Sequence, residues 1–287
     1  MAIHLVSPVS YSAFVAGIAK HARDIVAVEA KRSALLQQSS RISADDLCHG
    51  LLQFWVPRES ALVHPLAAHA TPTRAPERSH SSSVEHAALC EVEDQCSALL
   101  DSSGPAALQT AIKLIAGRLG LDGELRDGPN VTSADEAGNR WGYMPHALLA
   151  KRLDWLTACA CGKNWSPFVR ATWFYVGLLN CHPLRDGNGR TARILLNALL
   201  WQRQDVYLPI HEASGSLGWS LEICLRRAAN ADDWSDIISF LHHLLSAQLS
   251  ALMLRTQSPR SLGGLEATLP DPLRLENRPE GQVESST

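Results

Sequence analysis

Apolar positions recur along this chain mainly at helical spacing, with one clear exception near the middle. From residue 11 to 37, Phe14, Ile18, Ile25, Val26 and Val28 stand among charged neighbours, which predicts a helix. Leu51, Leu52, Phe54, Trp55 and Val56 form a second apolar patch. Residues 64–83 are rich in Ala, Pro, Ser, Thr and His and predict a linker or mobile loop. Residues 84–118 regain a helical composition, broken at Ser102-Ser103-Gly104-Pro105. The exception is 123–145, where short β-forming stretches flank Asp135-Glu136-Ala137-Gly138-Asn139 and predict a β-hairpin. Helical spacing resumes from Pro145 to Cys161. Pro167 then opens a helix whose Phe168, Val169, Ala171, Trp173, Tyr175, Val176, Leu178 and Leu179 cover nearly all sides, the pattern of a buried helix. After a polar turn at 182–189, Ile194 to Trp201 read as a second buried helix, and two more fit 216–230 and 234–254. Residues 256–287 hold four prolines, three glycines and little apolar surface, which predicts disorder. The fold class is therefore mainly α, with a single hairpin and a single polar turn between two buried helices.

Composition narrows the function without naming it. The chain has 287 residues and a formal net charge of -3, with 46% hydrophobic and 19% charged residues. A nucleic-acid footprint needs clustered Lys and Arg on a basic domain, and none is present. No apolar run approaches the roughly 20 residues of a membrane span. The N-terminus shows no secretory signal, so a cytoplasmic protein is expected, or one exported by a route without a cleavable signal peptide. The seven cysteines include no Cys-x-x-Cys pair and are expected to be reduced thiols. Cys159 and Cys161 resemble half a metal site, but no second ligand pair follows at zinc spacing.

The turn carries the chemistry. It reads His182-Pro183-Leu184-Arg185-Asp186-Gly187-Asn188-Gly189-Arg190-Thr191-Ala192-Arg193. Gly187, Asn188 and Gly189 tolerate unusual backbone angles where a helix begins, so their N–H groups can converge on an anion. Arg190 and Arg193 share a face of that helix and can hold neighbouring phosphates. Asp186, just before this anion nest, suits Mg²⁺ bridging phosphate oxygens. His182 can accept a proton from a hydroxyl near neutral pH. Each part alone is commonplace; their order and spacing together indicate a phosphate-handling site.

With those residues in view, the turn resembles the signature of the Fic family, His-Pro-Phe-x-Asp/Glu-Gly-Asn-Gly-Arg-x-x-Arg. Every fixed position matches except Leu184, which stands where the family usually has Phe; the smaller anchor predicts a less tightly held loop. Gly123-Glu124-Leu125-Arg126 resembles the stretch that leads into the family's flap, residues 127–142 resemble the flap, and Tyr143-Met144-Pro145 resembles the Tyr-x-Pro after it. The resemblance implies a Fic-type helical core with a β-hairpin flap over 105–255. It would carry an N-terminal helical extension over 1–104 and a disordered tail over 256–287.

The resemblance also implies roles. His182 would be the general base, Asp186 would hold Mg²⁺, and Gly187, Asn188 and Gly189 would bind the α-phosphate of ATP. Arg190 and Arg193 would hold the outer phosphates. Val131 and Thr132 would form the flap edge that pairs with an extended segment of a target protein. The implied activity is transfer of AMP from Mg-ATP to a Ser, Thr or Tyr hydroxyl. The alternatives left open are a catalytically weak Fic-fold binding module, and transfer of another nucleotide or a phosphate group. Many relatives carry an inhibitory Ser/Thr-x-x-x-Glu helix or meet it on a separate antitoxin. Ser81 to Glu85, in a helix near 81–90, resembles the internal kind, with His86 in place of the usual Gly or Asn; an ordinary helix cap is the competing reading. The oligomeric state is not legible from the sequence.

Overall fold

The computed structural model describes residues 3–38, 80–131 apart from 103 and 105, 140–201 apart from 162, positions 207, 208 and 210, and 220–257. The apolar patch at 51–56, most of the 64–83 stretch, Thr132 and the tail beyond 257 lie outside these residues. Described elements are β1 (Ile3–Leu5), α1 (Tyr11–Lys20), α2 (Ala22–Gln38), α3 (His80–Ser102), α4 (Ala107–Arg118) and β2 (Arg140–Gly142). They continue with α5 (Leu149–Ala160), α6 (Pro167–Cys181), α7 (Asn188–Trp201), α8 (Ser220–Ala231) and α9 (Ser235–Gln257). The architecture is mainly α, as the spacing predicts.

The two apolar helices form the centre. α6 starts where Ser166 caps it by accepting a hydrogen bond from the Val169 N–H, with Pro167 at the first helical position. Its Trp173, Phe174, Tyr175, Val176 and Leu178 are all buried. α7 follows it across the polar turn, packs against it, and buries Ile194 through Trp201 without interruption. α3 and α4 cover α7 on one flank, α5 packs on α4 and α6, and α8 and α9 close the far side.

Two features depart from the sequence-based expectation. The stretch 11–37 is not one helix but two, α1 and α2. The break falls at His21, whose N–H turns back to Ile18 O and whose ring meets the Ser235 hydroxyl at 3.0 Å. That contact ties the joint to the start of α9. Phe14 lies fully buried against Trp234, ring centroids 4.7 Å apart, and a Cβ at Gly17 would stand 2.9 Å from Trp234 Cβ, so α1 approaches closely only because residue 17 has no side chain. The second departure is β1. It pairs in parallel with β2, Ile3 opposite Arg140 and Leu5 opposite Gly142, and adds a strand to the predicted flap. The segment after β1 is held in place by Asn180, which donates to Ser7 O at 2.9 Å and accepts from Val9 N.

Candidate active site

The turn between α6 and α7 is built from backbone outward. α6 ends at His182 in the left-handed conformation (φ 47°, ψ 59°), its N–H closing on Leu178 O at 2.9 Å. Leu184, the residue smaller than the family's Phe, is buried at 1% exposure and forms a bridge to Leu125. Asn188 then donates to Leu184 O at 2.8 Å and accepts from Leu184 N at 2.9 Å. These contacts secure the loop despite the smaller anchor. The buried Asn188 carboxamide thus shapes the turn with one N–H and its oxygen, and a second N–H is left beside the backbone amides. The first helical hydrogen bond is Thr191 N–H to Gly187 O, so the N–H groups of Asn188, Gly189 and Arg190 precede the ladder, as in any helix N-terminus suited to phosphate. Gly187 has φ +78°, which favours glycine; a Cβ there would fall 2.1 Å from Leu121 Cδ1, the movable tip of a side chain.

Asp186 is 81% exposed at its side chain. Its Oδ1 accepts from Gly187 N at 2.6 Å and its Oδ2 lies 3.3 Å from Arg190 Nη2. Such a carboxylate fits a Mg²⁺ that takes one or two protein oxygens and completes its shell with phosphate and water. Among the described residues no group of three or more His, Cys, Asp and Glu could hold a metal alone, Cys159 and Cys161 included. Any metal at Asp186 would thus depend on the nucleotide for further ligands.

Arg193 is not free. Its Nε donates to Glu85 Oε2 at 2.9 Å and its Nη2 to Glu85 Oε1 at 2.5 Å. Glu85 lies on α3, fully buried, and also accepts from the Tyr207 hydroxyl at 2.5 Å. The ordinary-cap reading of this stretch does not describe Glu85, which sits beyond the first turn of α3 and reaches across to α7. Burial by itself would lower the Arg193 pKa; the hydrogen bonds and charge of Glu85, with Tyr175 and Tyr207 nearby, push it up instead. Tyr207 carries no motif and was invisible to sequence reasoning; nothing in spacing links it to Glu85.

His182 is held neutral. Desolvation lowers its pKa first, the Arg126 guanidinium lowers it further, and a hydrogen bond to the Leu179 backbone and the charge of Asp186 only partly offset this, leaving it at about 4 against an ordinary 6.5. Tyr143 stacks on the ring, centroids 4.1 Å apart at 17°. With one ring nitrogen donating to the Leu179 carbonyl, the other is an acceptor near pH 7, as a general base requires. In an NMR titration the His182 ring should stay neutral from pH 8 to below 5.5 and protonate only near 4; a midpoint near 6.5 would contradict the burial argument. The same depression has a sign for stability. The unfolded chain takes up this proton below about 6.5 and the folded chain does not, so stability falls as pH drops from about 6.5 towards 4.

The flap edge is only partly described. Val131 is 37% exposed and forms an antiparallel bridge with Gly142, as a hairpin arm would. The other side of Gly142 is taken by Leu5 of β1, so Gly142 lies between β1 and the segment of Val131, and each of these is an outer edge.

Comparison with known proteins places these features. Residues 103–200 match the model of the Fic/DOC family. A protein adenylyltransferase, fic-1 of Caenorhabditis briggsae, is 31% identical over 125 residues, covering 42% of this chain. This chain spans 23% of that relative's length. Among solved structures, a Fic family protein from Desulfovibrio desulfuricans G20 is similar with a TM-score of 0.53 and 19% identity, over 82% of this chain and 75% of that one, a likeness of fold. A Fic-1 fragment from C. elegans aligns with a TM-score of 0.48 and 16% identity, over 88% of this chain and 74% of that one.

Proposed function

We propose that this chain, whose residues 103–200 match the Fic/DOC family model, is a Fic-family protein that transfers AMP from Mg-ATP to a Ser, Thr or Tyr hydroxyl of a target protein, under restraint by Glu85. The observation that carries this reading is a half-buried His182, stacked under Tyr143 and set one short turn before the N-terminus of α7. In the reaction, the acceptor nitrogen of His182 takes the proton of the target hydroxyl. The hydroxyl oxygen bonds to the α-phosphorus, the bond from that phosphorus to the bridging β-oxygen breaks, and pyrophosphate leaves with the electron pair. The amides at the start of α7 face the charge that builds on the α-phosphate. Asp186 would hold Mg²⁺, which when bound neutralises charge on the phosphates. Arg190 and Arg193 hold the outer phosphates, Arg193 only after Glu85 lets go. The outer arm of the flap at Val131 aligns an extended target segment by backbone pairing. The intact Gly187-Asn188-Gly189 favours AMP over phosphate as the group moved, and the internal Glu85 favours self-restraint over a separate antitoxin.

The test uses ATP labelled at the α- or at the γ-phosphate, with wild type and Glu85→Gly. α-Label appearing on protein is the expected outcome. γ-Label on protein would instead mean phosphate transfer, and label from neither would favour a binding module or another donor.

A further inference from the structure

Arg126 sits just before the flap, buried at 4% exposure. Its guanidinium is met by backbone carbonyls. Nε donates to His182 O at 2.9 Å, Nη1 to Gly128 O at 2.7 Å, and Nη2 to Met144 O at 2.6 Å with a longer contact to Cys181 O at 3.5 Å. Its backbone N–H adds a bond to Pro183 O at 2.8 Å. Among the described residues no carboxylate pairs with it.

The four carbonyls belong to three places. Gly128 and Met144 are the two feet of the flap, joined to each other by the Tyr143 N–H on Asn130 O at 3.0 Å. Cys181 and His182 are the end of α6, where carbonyls lie beyond the helical ladder and carry partial negative charge. A planar fork with five donors can satisfy such divergent acceptors at once; an ammonium with three cannot. Burying a full charge among neutral carbonyls is a costly way to stabilise a loop, since a packed apolar residue would avoid the desolvation. The arrangement is explained by what it joins.

We propose that Arg126 is a positioning residue: its one guanidinium fixes both feet of the flap against the residue that carries the general base, and so sets where a target hydroxyl meets His182. This rests on the AMP-transfer reading. The flap decides where the target chain lies, and His182 decides where its proton goes. The Tyr143 ring stacked on His182 and the exposed Asp127–Arg185 pair at 2.8 Å also link flap and turn, but among the described residues Arg126 is the side chain that bonds both flap feet and the His182 carbonyl together. Without the fork, the flap can shift relative to the base while the phosphate site on α7 stays as it is. Misplacement of reacting groups by about 1 Å costs about 10²-fold in rate.

The experiment compares Arg126→Lys with Arg126 in the Glu85→Gly background. The expected result is α-label transfer lower by about 10²-fold, ATP affinity by calorimetry within about twofold, and loss of hydrogen-exchange protection at the Tyr143 amide but not along α6 and α7. Equal transfer in the two proteins, or a loss that ATP affinity fully accounts for, would overturn the proposal. Should Arg126→Lys fail to fold, exchange on the unsubstituted chain decides: the amides of Arg126, bonded to Pro183 O, and Tyr143, bonded to Asn130 O, should open together with one free energy, and separate opening would overturn the tether. If the Glu85→Gly parent itself transfers no α-label, the AMP-transfer reading fails, while the exchange data still judge the tether alone.

Discussion

His182→Ala should lower α-label transfer by roughly 10²–10⁴-fold while ATP affinity stays unchanged, the usual loss when a general base is removed. The reasoning is spatial. His182 belongs to the end of α6 and the groups proposed to bind nucleotide belong to the start of α7, so the ring can be removed without touching the amides, Asp186 or the arginines. His182 sits at a left-handed position, φ 47°, that His occupies more readily than Ala, so a melting curve beside the rate separates added strain from lost chemistry. The ring itself is prepared for the role: stacked under Tyr143, linked to the Leu179 carbonyl and neutral down to about 4. The measurement is initial rate at pH 7 in the Glu85→Gly background, beside calorimetric ATP binding. A variant as fast as its parent would remove His182 from the mechanism. One that lost ATP binding in equal measure would move it into the nucleotide site.

Glu85→Gly should raise transfer by about 10²-fold, the order of penalty expected for a reacting phosphate held out of line. In the structure, Arg193 spends Nε and Nη2 on Glu85, whose carboxylate is further held by Tyr207. On the proposed reading, a nucleotide entering this site would meet an arginine that already has a bidentate partner, so its outer phosphates would settle elsewhere and draw its α-phosphate out of line with the target hydroxyl. Removing the carboxylate releases the fork. It also leaves a buried guanidinium unpaired, which typically costs about 3–5 kcal/mol. The variant should therefore melt lower than wild type without nucleotide, and gain more from ATP than wild type does, because phosphate restores the partner. Adding Arg193→Ala should cancel the activation, since both changes act through one contact. Equal rates in Glu85→Gly and wild type would show that the ion pair stabilises the fold without restraining the reaction.

The division between what was legible and what was not follows sequence distance. Ser166 and Pro167 announce the start of α6, and apolar residues on every face announce that α6 and α7 are buried, because capping and burial are written within a few residues. The turn from His182 to Arg193 was legible for the same reason: its groups are assembled by one tight turn and the first helical turns after it, so their spacing alone brings them together. Glu85 could be flagged from a short resemblance, but its pairing with Arg193 spans 108 positions, and no periodicity encodes which carboxylate meets which arginine across α3 and α7. Tyr207 joins them from a stretch with no motif at all. The three-residue β1 is too short to show a period, and its docking on β2 is decided by where α1 packs and by the grip of Asn180 on the segment between. The sequence offered Asn188 as a phosphate ligand; the folded turn, by aiming its carboxamide at both the N–H and the carbonyl of Leu184, adds a structural role that spacing did not show. Arg126 looked like one more residue of a loose motif. Its meaning came from three carbonyl-bearing segments that converge only once the helices are packed, because long-range convergence depends on the sum of all packing contacts and not on any one stretch of chain.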